Sequence, residues 1–159
     1  MTVWTSLYTS SRAIVIATLL GVPIGLWLGL NRFRGRQLLI TLLNTLMALP
    51  TVVVGLLLFG LLSRQGPLGP LGLLFTPLAM IAGQMVLATP IVANLVLAAV
   101  TGADRRIINT ALTLGASRLQ AAAKLLSEIR FGIMAAVIVG FGRVIAEVGV
   151  AMMLGGNIR

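Results

Sequence analysis

At 159 residues the chain has the length of one domain, but 58% of it is hydrophobic, its mean hydropathy is +1.08 and only 9% is charged. A soluble domain carries about a quarter charged residues, so a large soluble core is excluded and a polytopic membrane protein is indicated. With no cysteine and no histidine there is no disulfide framework, no thiolate or imidazole metal site and no Ser-His pair; the net charge of +9 sits mostly in short loops between apolar runs, where lipid orientation explains it better than nucleic acid does.

Residues 1–12, MTVWTSLYTSSR, are polar to mixed. Trp4 and Tyr8 lie one helical turn apart, either as interface anchors or as packing residues. No cleavable signal is read, because only Arg12 precedes the first apolar run and no small-residue exit follows it before the next charges. Residues 13–30 form the first predicted span. Its length as a helix is about 27 Å, enough for the hydrocarbon core. Pro23 is tolerable there, and Gly21, Gly25 and Gly29 recur every fourth residue on one face, a pattern that lets another helix approach closely.

Residues 31–36, NRFRGR, carry three arginines. Residues 38–62 are uncharged and form the second predicted span, with Pro50 midway and the Thr45 and Thr51 hydroxyls near enough to help satisfy the freed carbonyl. Broken helices line transport paths, and kinks also serve packing, so Pro50 and Thr51 are path candidates with a packing alternative. Residues 63–76, SRQGPLGPLGLLFT, read as consecutive turns with one charge, Arg64. Residues 77–100 form the third predicted span, again uncharged. Thr89 and Pro90 are a second mid-span kink and path candidate, while Gln84 and Asn94 read as interhelical hydrogen-bonding residues.

Residues 101–132 are the long polar break, with two of the three acidic residues and five of the twelve basic ones. Their pattern is that of two short helices meeting at a corner. Thr101 with Asp104 is a weak capping box for the first, and Ser117 with Gln120 a better one for the second. Gly115 stands between them, able to take the positive φ that ends a helix. Residues 133–154 are the fourth predicted span, apolar except for Arg143 and Glu147, one turn apart on one face. Two readings stay open: a salt bridge turned into the bundle, or an arginine that meets an anion and is held by Glu147 when the site is empty.

Two spans separate the loops 31–36 and 101–132, so both lie on one side, with three and five basic residues. Arg12, Arg64 and Arg159 belong to the other side. The positive-inside rule puts the rich loops in the cytoplasm and both chain ends outside.

The run from Thr110 through Ala111, Leu112, Thr113, Leu114, Gly115, Ala116 and Ser117 to Arg118 resembles the cytoplasmic "EAA" loop of ABC importer permeases, with Asn109 and Thr110 standing where that loop usually has Glu-Ala and Glu128 where a proline is frequent. The resemblance extends further. Arg143 to Gly149 and the Gly155-Gly156-Asn157-Ile158 run are similar to permeases of molybdate, sulfate and tungstate importers. The Gly140-Phe141-Gly142-Arg143 run and the Gly155-Gly156-Asn157-Ile158 run, with Leu49 to Gly55 and Arg64 to Gly69, look most like the tungstate branch.

This resemblance implies an all-α, polytopic helical bundle of the type I importer kind, a single permease domain over residues 1–159 in a prokaryotic inner membrane. It implies a path for a tetrahedral oxyanion, driven by a separate ABC ATPase and fed by an extracytoplasmic binding protein. A second permease copy and membrane lipid complete the expected partners; no cofactor and no nucleic acid are expected. Ala111, Leu114, Gly115, Ala116, Ser117 and Arg118 would form the ATPase-coupling corner. Pro50, Thr51, Thr89, Pro90, Arg143, Glu147 and Asn157 would line the path or gate. Such permeases usually run on for at least one more helix, so the chain is expected to be a fragment. It contains no phosphate loop of the Gly-x-x-x-x-Gly-Lys-Ser/Thr type, so ATP hydrolysis is expected in another chain. The competing classes are an ATP-independent channel or secondary transporter and a non-transporting membrane scaffold. An intramembrane enzyme is disfavoured, with one buried acid and no catalytic constellation.

Overall fold

Three glycines and three valines set the arrangement. The computed structural model describes residues 3–104 and 106–147, and the regular elements among them are helices: α1 (Val3–Leu30), α2 (Arg36–Ala48), α3 (Thr51–Leu62), a 3-10 turn at Gly69–Leu71, α4 (Pro77–Gly102), α5 (Arg106–Thr113), α6 (Arg118–Glu128) and α7 (Arg130–Ile145). The all-α expectation holds. A Cβ on Gly21 would stand 2.9 Å from that of Val92, and one on Gly25 would stand 2.8 Å from that of Val96. Gly29 meets Val100 in the same way. The two rows advance together, so α1 and α4 run parallel, with the valine side chains filling the space that the glycines leave.

Parallel neighbours force the intervening chain to travel the length of the bundle. Residues 31–76 must return from the C-terminal end of α1 to the N-terminal end of α4, a helix about 39 Å long. The return starts with Arg36, whose Nε donates to the Leu28 carbonyl at 2.7 Å and ties α2 to the end of α1. α2 then climbs antiparallel to α4, where Asn94 Nδ2 donates to Asn44 Oδ1 at 2.9 Å. Asn94 thus joins two helices, as expected for such a residue; Gln84 does the same by donating to Ser10 of α1 at 3.4 Å.

The expected second span is not one helix. α2 and α3 meet at 96°. Leu49 is driven to extended backbone by the proline that follows it, and Pro50 then opens α3, its carbonyl accepting from the amides of Val53 and Val54. Thr45 does not help the break: its hydroxyl donates to the Thr41 carbonyl within α2. The third proline site behaves differently. α4 runs unbroken through Pro90, and Thr89 donates to the Met85 carbonyl at 2.7 Å.

The helices that hold the expected first and fourth spans start before them. α1 is already helical at Val3, ten residues before position 13. It carries Arg12 by laying the guanidinium over the Tyr8 ring, 4.3 Å from its centre. α7 starts at Arg130 and ends at Ile145, where the Ala146 amide turns back to the Gly142 and Val144 carbonyls. The remaining positions of the expected fourth span, from 148 on, lie outside the described residues. α7 packs antiparallel to α4, with Gly132 against Ala99 and Gly140 against Ile14 and Val92. Ala13, Ile14 and Ala17 of α1, Val92, Val96 and Val100 of α4, Ala136 and Val144 of α7 and Leu125 of α6 make one continuous core. Among the described residues two helices, Leu7–Leu30 and Pro77–Gly102, are long and apolar enough to cross a membrane, and the bent pairs α2–α3 and α6–α7 raise that to four if each pair is one span.

The α1–α4 contact has no room for a larger residue. Gly25→Leu is expected to cost about 1–3 kcal/mol by overpacking, because its Cβ alone would lie 2.6 Å from the Ala93 carbonyl oxygen. Gly60→Ala in α3, where a Cβ meets nothing within 4 Å, serves as the control. Unfolding in mixed detergent measures both, and an unchanged midpoint for Gly25→Leu would remove α1 from this contact.

Candidate functional site

The polar break folds into the corner that its sequence suggests, with one change at its entrance. Thr101 does not cap α5; it belongs to the last turn of α4, where its hydroxyl donates to the Leu97 and Ala98 carbonyls. Asp104 acts alone, its carboxylate accepting from the Arg106 amide at 2.9 Å. An Asp two residues before the helix suffices to hold one orphan amide.

The exit of α5 is locked by two bonds. The Ala116 amide reaches back to the Ala111 carbonyl and the Gly115 amide to that of Leu112, at 3.0 and 3.1 Å. This is the Schellman arrangement, with Gly115 left-handed at φ 86°. The pairing also accounts for two alanines: Ala111 and Ala116 hold the positions that meet across such a turn. Ser117 then caps α6 in a complete capping box. It donates its amide to Gln120 Oε1 at 2.8 Å and accepts the Gln120 amide on its hydroxyl at 3.2 Å. Two helix ends are thus tied off within the ten residues 111–120, and the corner holds its shape with little help from outside.

Its tip is bare. Leu114 is 82% exposed and Leu119 is 81% exposed, and apart from the adjoining residues nothing lies within 4 Å of where a Gly115 Cβ would be. Leu119 was not among the expected coupling residues. Its position offered a signal: the buried seam of α6 runs through Ala121, Leu125 and Ile129, and Leu119 falls off it. Arg118 points elsewhere from the two leucines. It lines a cavity against the ends of α1 and α4. The corner joins the body through Leu125 and Ile129, after which α7 departs from α6 at 63°.

The second candidate group is the ion pair. Arg143 Nη1 and Glu147 Oε2 are 3.5 Å apart, so the two residues do meet. The geometry differs from two residues on one continuous helix, because Glu147 lies beyond the end of α7. The pair is also uneven: the Glu147 side chain is 9% exposed and that of Arg143 is 48% exposed. Arg143 is thirteen residues after Arg130, about 20 Å along α7.

The other expected path residues do not gather around this pair. Pro50 and Thr51 sit at the α2–α3 break. Thr89 bonds within its own helix and Pro90 is buried. Asn157 lies outside the described residues. Sequence reasoning named Asn94 and Gln84 but not their partners, Asn44 and Ser10, since a pairing partner on another helix has no signature of its own.

Long apolar helices joined to a double-capped, exposed corner define a helical protein of the membrane class. Residues 21–158 match the family described as the binding-protein-dependent transport system inner membrane component. The chain belongs to that family. It is similar to a probable anion ABC transporter permease protein of Haloferax volcanii, 40% identical over 96% of the chain and 66% of the relative. It is also similar to tungstate uptake system permease proteins of Peptoclostridium acidaminophilum (37% identical, 99% of the chain, 69% of the relative) and Campylobacter jejuni (40% identical, 98% and 65%). The chain thus spans about two thirds of the length of these relatives.

Because the space around Gly115 is open, its requirement is conformational and not steric. Gly115→Val should destabilise the corner by about 1–2 kcal/mol, the cost of left-handed backbone for a side chain. Gly115→Asn should cost clearly less. Amide exchange at residues 115, 116 and 120 reads the difference; equal protection in all three proteins would deny the left-handed turn.

Proposed function

We propose that this chain is the permease part of an ATP-driven importer for a tetrahedral oxyanion, with tungstate the first candidate, and that the corner at Gly115 is where a separate ATPase subunit pushes. The observation that carries this reading is the corner itself. A rigid turn bearing two almost fully exposed leucines, Leu114 and Leu119, is costly in water and fits a hydrophobic groove on another protein. Ala111, Gly115, Ala116 and Ser117 form the frame behind it. The names of the relatives support the oxyanion and the importer, and the membership of the family supports an inner-membrane, multi-pass location with partners on both sides. Basic loops at 31–36 and 101–132 support a cytoplasmic corner. ATP hydrolysis falls to the partner chain, and this subunit is not an enzyme.

The mechanism is alternating access. ATP-driven approach of two ATPase subunits moves the corner, and the α6–α7 bend at Ile129 converts that into a tilt of α7. α7 carries Arg143. A cation half-exposed on the outside of one chain at membrane depth needs water, an anion or another subunit beside it. A second copy of this permease, enclosing a path between the two, supplies such surroundings. Glu147 holds Arg143 from its buried side and leaves the outer face of the guanidinium for the passing anion. An extracytoplasmic binding protein delivers that anion.

Reconstitution with the ATPase and the binding protein tests the scheme. Tungstate uptake should be vanadate-sensitive. Leu114→Asp combined with Leu119→Asp should leave insertion intact and abolish substrate-stimulated ATP hydrolysis. Full stimulation in that variant would reduce the corner to a connector, uptake without ATP would favour a channel or secondary transporter, and no assembly with the ATPase would favour a scaffold.

The ion pair has its own test. Exchange of its members, Arg143→Glu with Glu147→Arg, keeps the pair and puts the carboxylate where the half-exposed cation was. Folding should survive. Oxyanion uptake should fall at least tenfold, for a loss of about 1.4 kcal/mol or more in stabilisation of the passing anion. Unchanged uptake would leave Arg143 and Glu147 as packing residues.

A further inference from the structure

A cavity of about 380 Å³ opens where α1 and α4 end and the corner begins. Its walls come from four helices. Leu30 and Val100 give an apolar side, Asn31 and Asn109 add neutral amides, Ala122 forms part of the floor, and Arg118 is the one charged residue among the lining side chains. No carboxylate neutralises it: among the described residues Arg118 makes no ion pair. Asn31 uses one amide hydrogen on the Trp27 carbonyl at 3.0 Å, which leaves its side-chain oxygen to accept a hydroxyl.

We propose that this cavity holds the headgroup of an anionic phospholipid. The level is right for it. Val100 is two residues from the end of α4 and Leu30 closes α1, so the cavity lies where two candidate spans leave the hydrocarbon. Trp27 and Phe33, with ring centres 4.7 Å apart, mark the same level as interfacial aromatics do. The chemistry is divided as a phospholipid is. The guanidinium of Arg118 meets the phosphate, the amides of Asn31 and Asn109 meet headgroup hydroxyls, and Leu30 and Val100 meet the glycerol and the first methylenes. The volume exceeds what a lone tetrahedral anion fills, and an apolar wall gives such an ion nothing to bond. Basic pockets between membrane helices on the cytoplasmic side take headgroups of this kind. A bound lipid would then sit between the fixed ends of α1 and α4 and the moving corner, and the lipid composition of the membrane would set the stiffness of that joint. The assignment of the leaflet and the movement of the corner rest on the proposed function; the cavity and its lining do not.

The test uses the whole chain in nanodiscs of phosphatidylcholine with phosphatidylglycerol. Native mass spectrometry after gentle release counts the lipid retained. Wild type should keep phosphatidylglycerol in preference to phosphatidylcholine. Arg118→Gln, at an exposed position, should lower that retention about fivefold, the worth of one basic residue at an anionic headgroup. Arg118→Lys should restore most of it. Ala122→Phe, which fills the cavity and keeps the charge, should lower it as well. The pair Arg32→Gln with Arg34→Gln, outside the cavity, should not. Retention equal in wild type and Arg118→Gln, or equal loss in the Arg32/Arg34 variant, would overturn the proposal as non-specific surface attraction. Displacement of the lipid by millimolar inorganic phosphate would overturn it in favour of a free-anion site. Circular dichroism and size exclusion on each variant confirm the fold before the count is read.

Discussion

With no Cβ at Gly21, Gly25 and Gly29, α1 can lie against Val92, Val96 and Val100 of α4 closely enough for backbone and side chain to touch. In lipid there is little hydrophobic gain from bringing helices together, so this kind of close van der Waals fit has to supply the attachment. Its parallel sense has consequences well beyond the contact. The chain between the two helices must recross the bundle, which places α2 antiparallel beside α4 and gives Asn44 and Asn94 their meeting point. α7, arriving from the corner, finds a groove already formed by α1 and α4 and fills it with Gly140, Ala136 and Val144. Both ends of the corner are therefore anchored to a frame that was fixed earlier in the sequence.

The corner is built on the opposite principle. Its shape comes from local hydrogen bonds, the two of the Schellman turn and the two of the capping box, and hardly from packing. A segment stiffened in this way can be pushed without changing shape, since the cost of distorting it is met by bonds inside it. The change of direction falls at the 63° bend after Glu128, where the C-cap residue Ile129 is buried in the core. Rigid tip and bent root together make a lever, which is what the proposed coupling requires of it. The cavity at Arg118 lies between the lever and the frame, so whatever fills it acts on the same joint.

What the sequence made legible were the features with a local signature. Gly-x-x-x-Gly-x-x-x-Gly announced a close helix contact, Gly115 a left-handed turn, and Ser117 with Gln120 a helix start; each stands in the structure as read. The membrane class followed from composition. The errors fall where a local signal leaves the global outcome open. Pro50 and Pro90 are both mid-span prolines, yet one breaks a helix by 96° and the other sits inside an unbroken one. Pro90 is buried, while Pro50 is exposed. Thr101 looked like a cap because it precedes Asp104 by three residues, but α4 continues through it. Leu119 was passed over because a leucine in a hydrophobic chain attracts no notice until its exposure is known.

The ion pair at the end of α7 is unevenly covered. If Arg143 and Glu147 served only to cancel each other inside the bundle, both would be covered to a similar degree, since an exposed charge in hydrocarbon is the costly case that pairing is meant to avoid. Instead the acid is buried and the base is half open. Under the proposed function the outer face of the guanidinium is not left to lipid tails. The same side of the argument does not apply to Leu19, Trp27 or Ile138, which are also exposed but which lipid covers readily. Exposure of apolar residues along the lipid-facing helices is thus uninformative, unlike that of Leu114 and Leu119 at the corner or of a cation such as Arg143. Under the proposed function the face of α7 around Arg143 meets a polar surface that belongs to the path between two copies of the subunit.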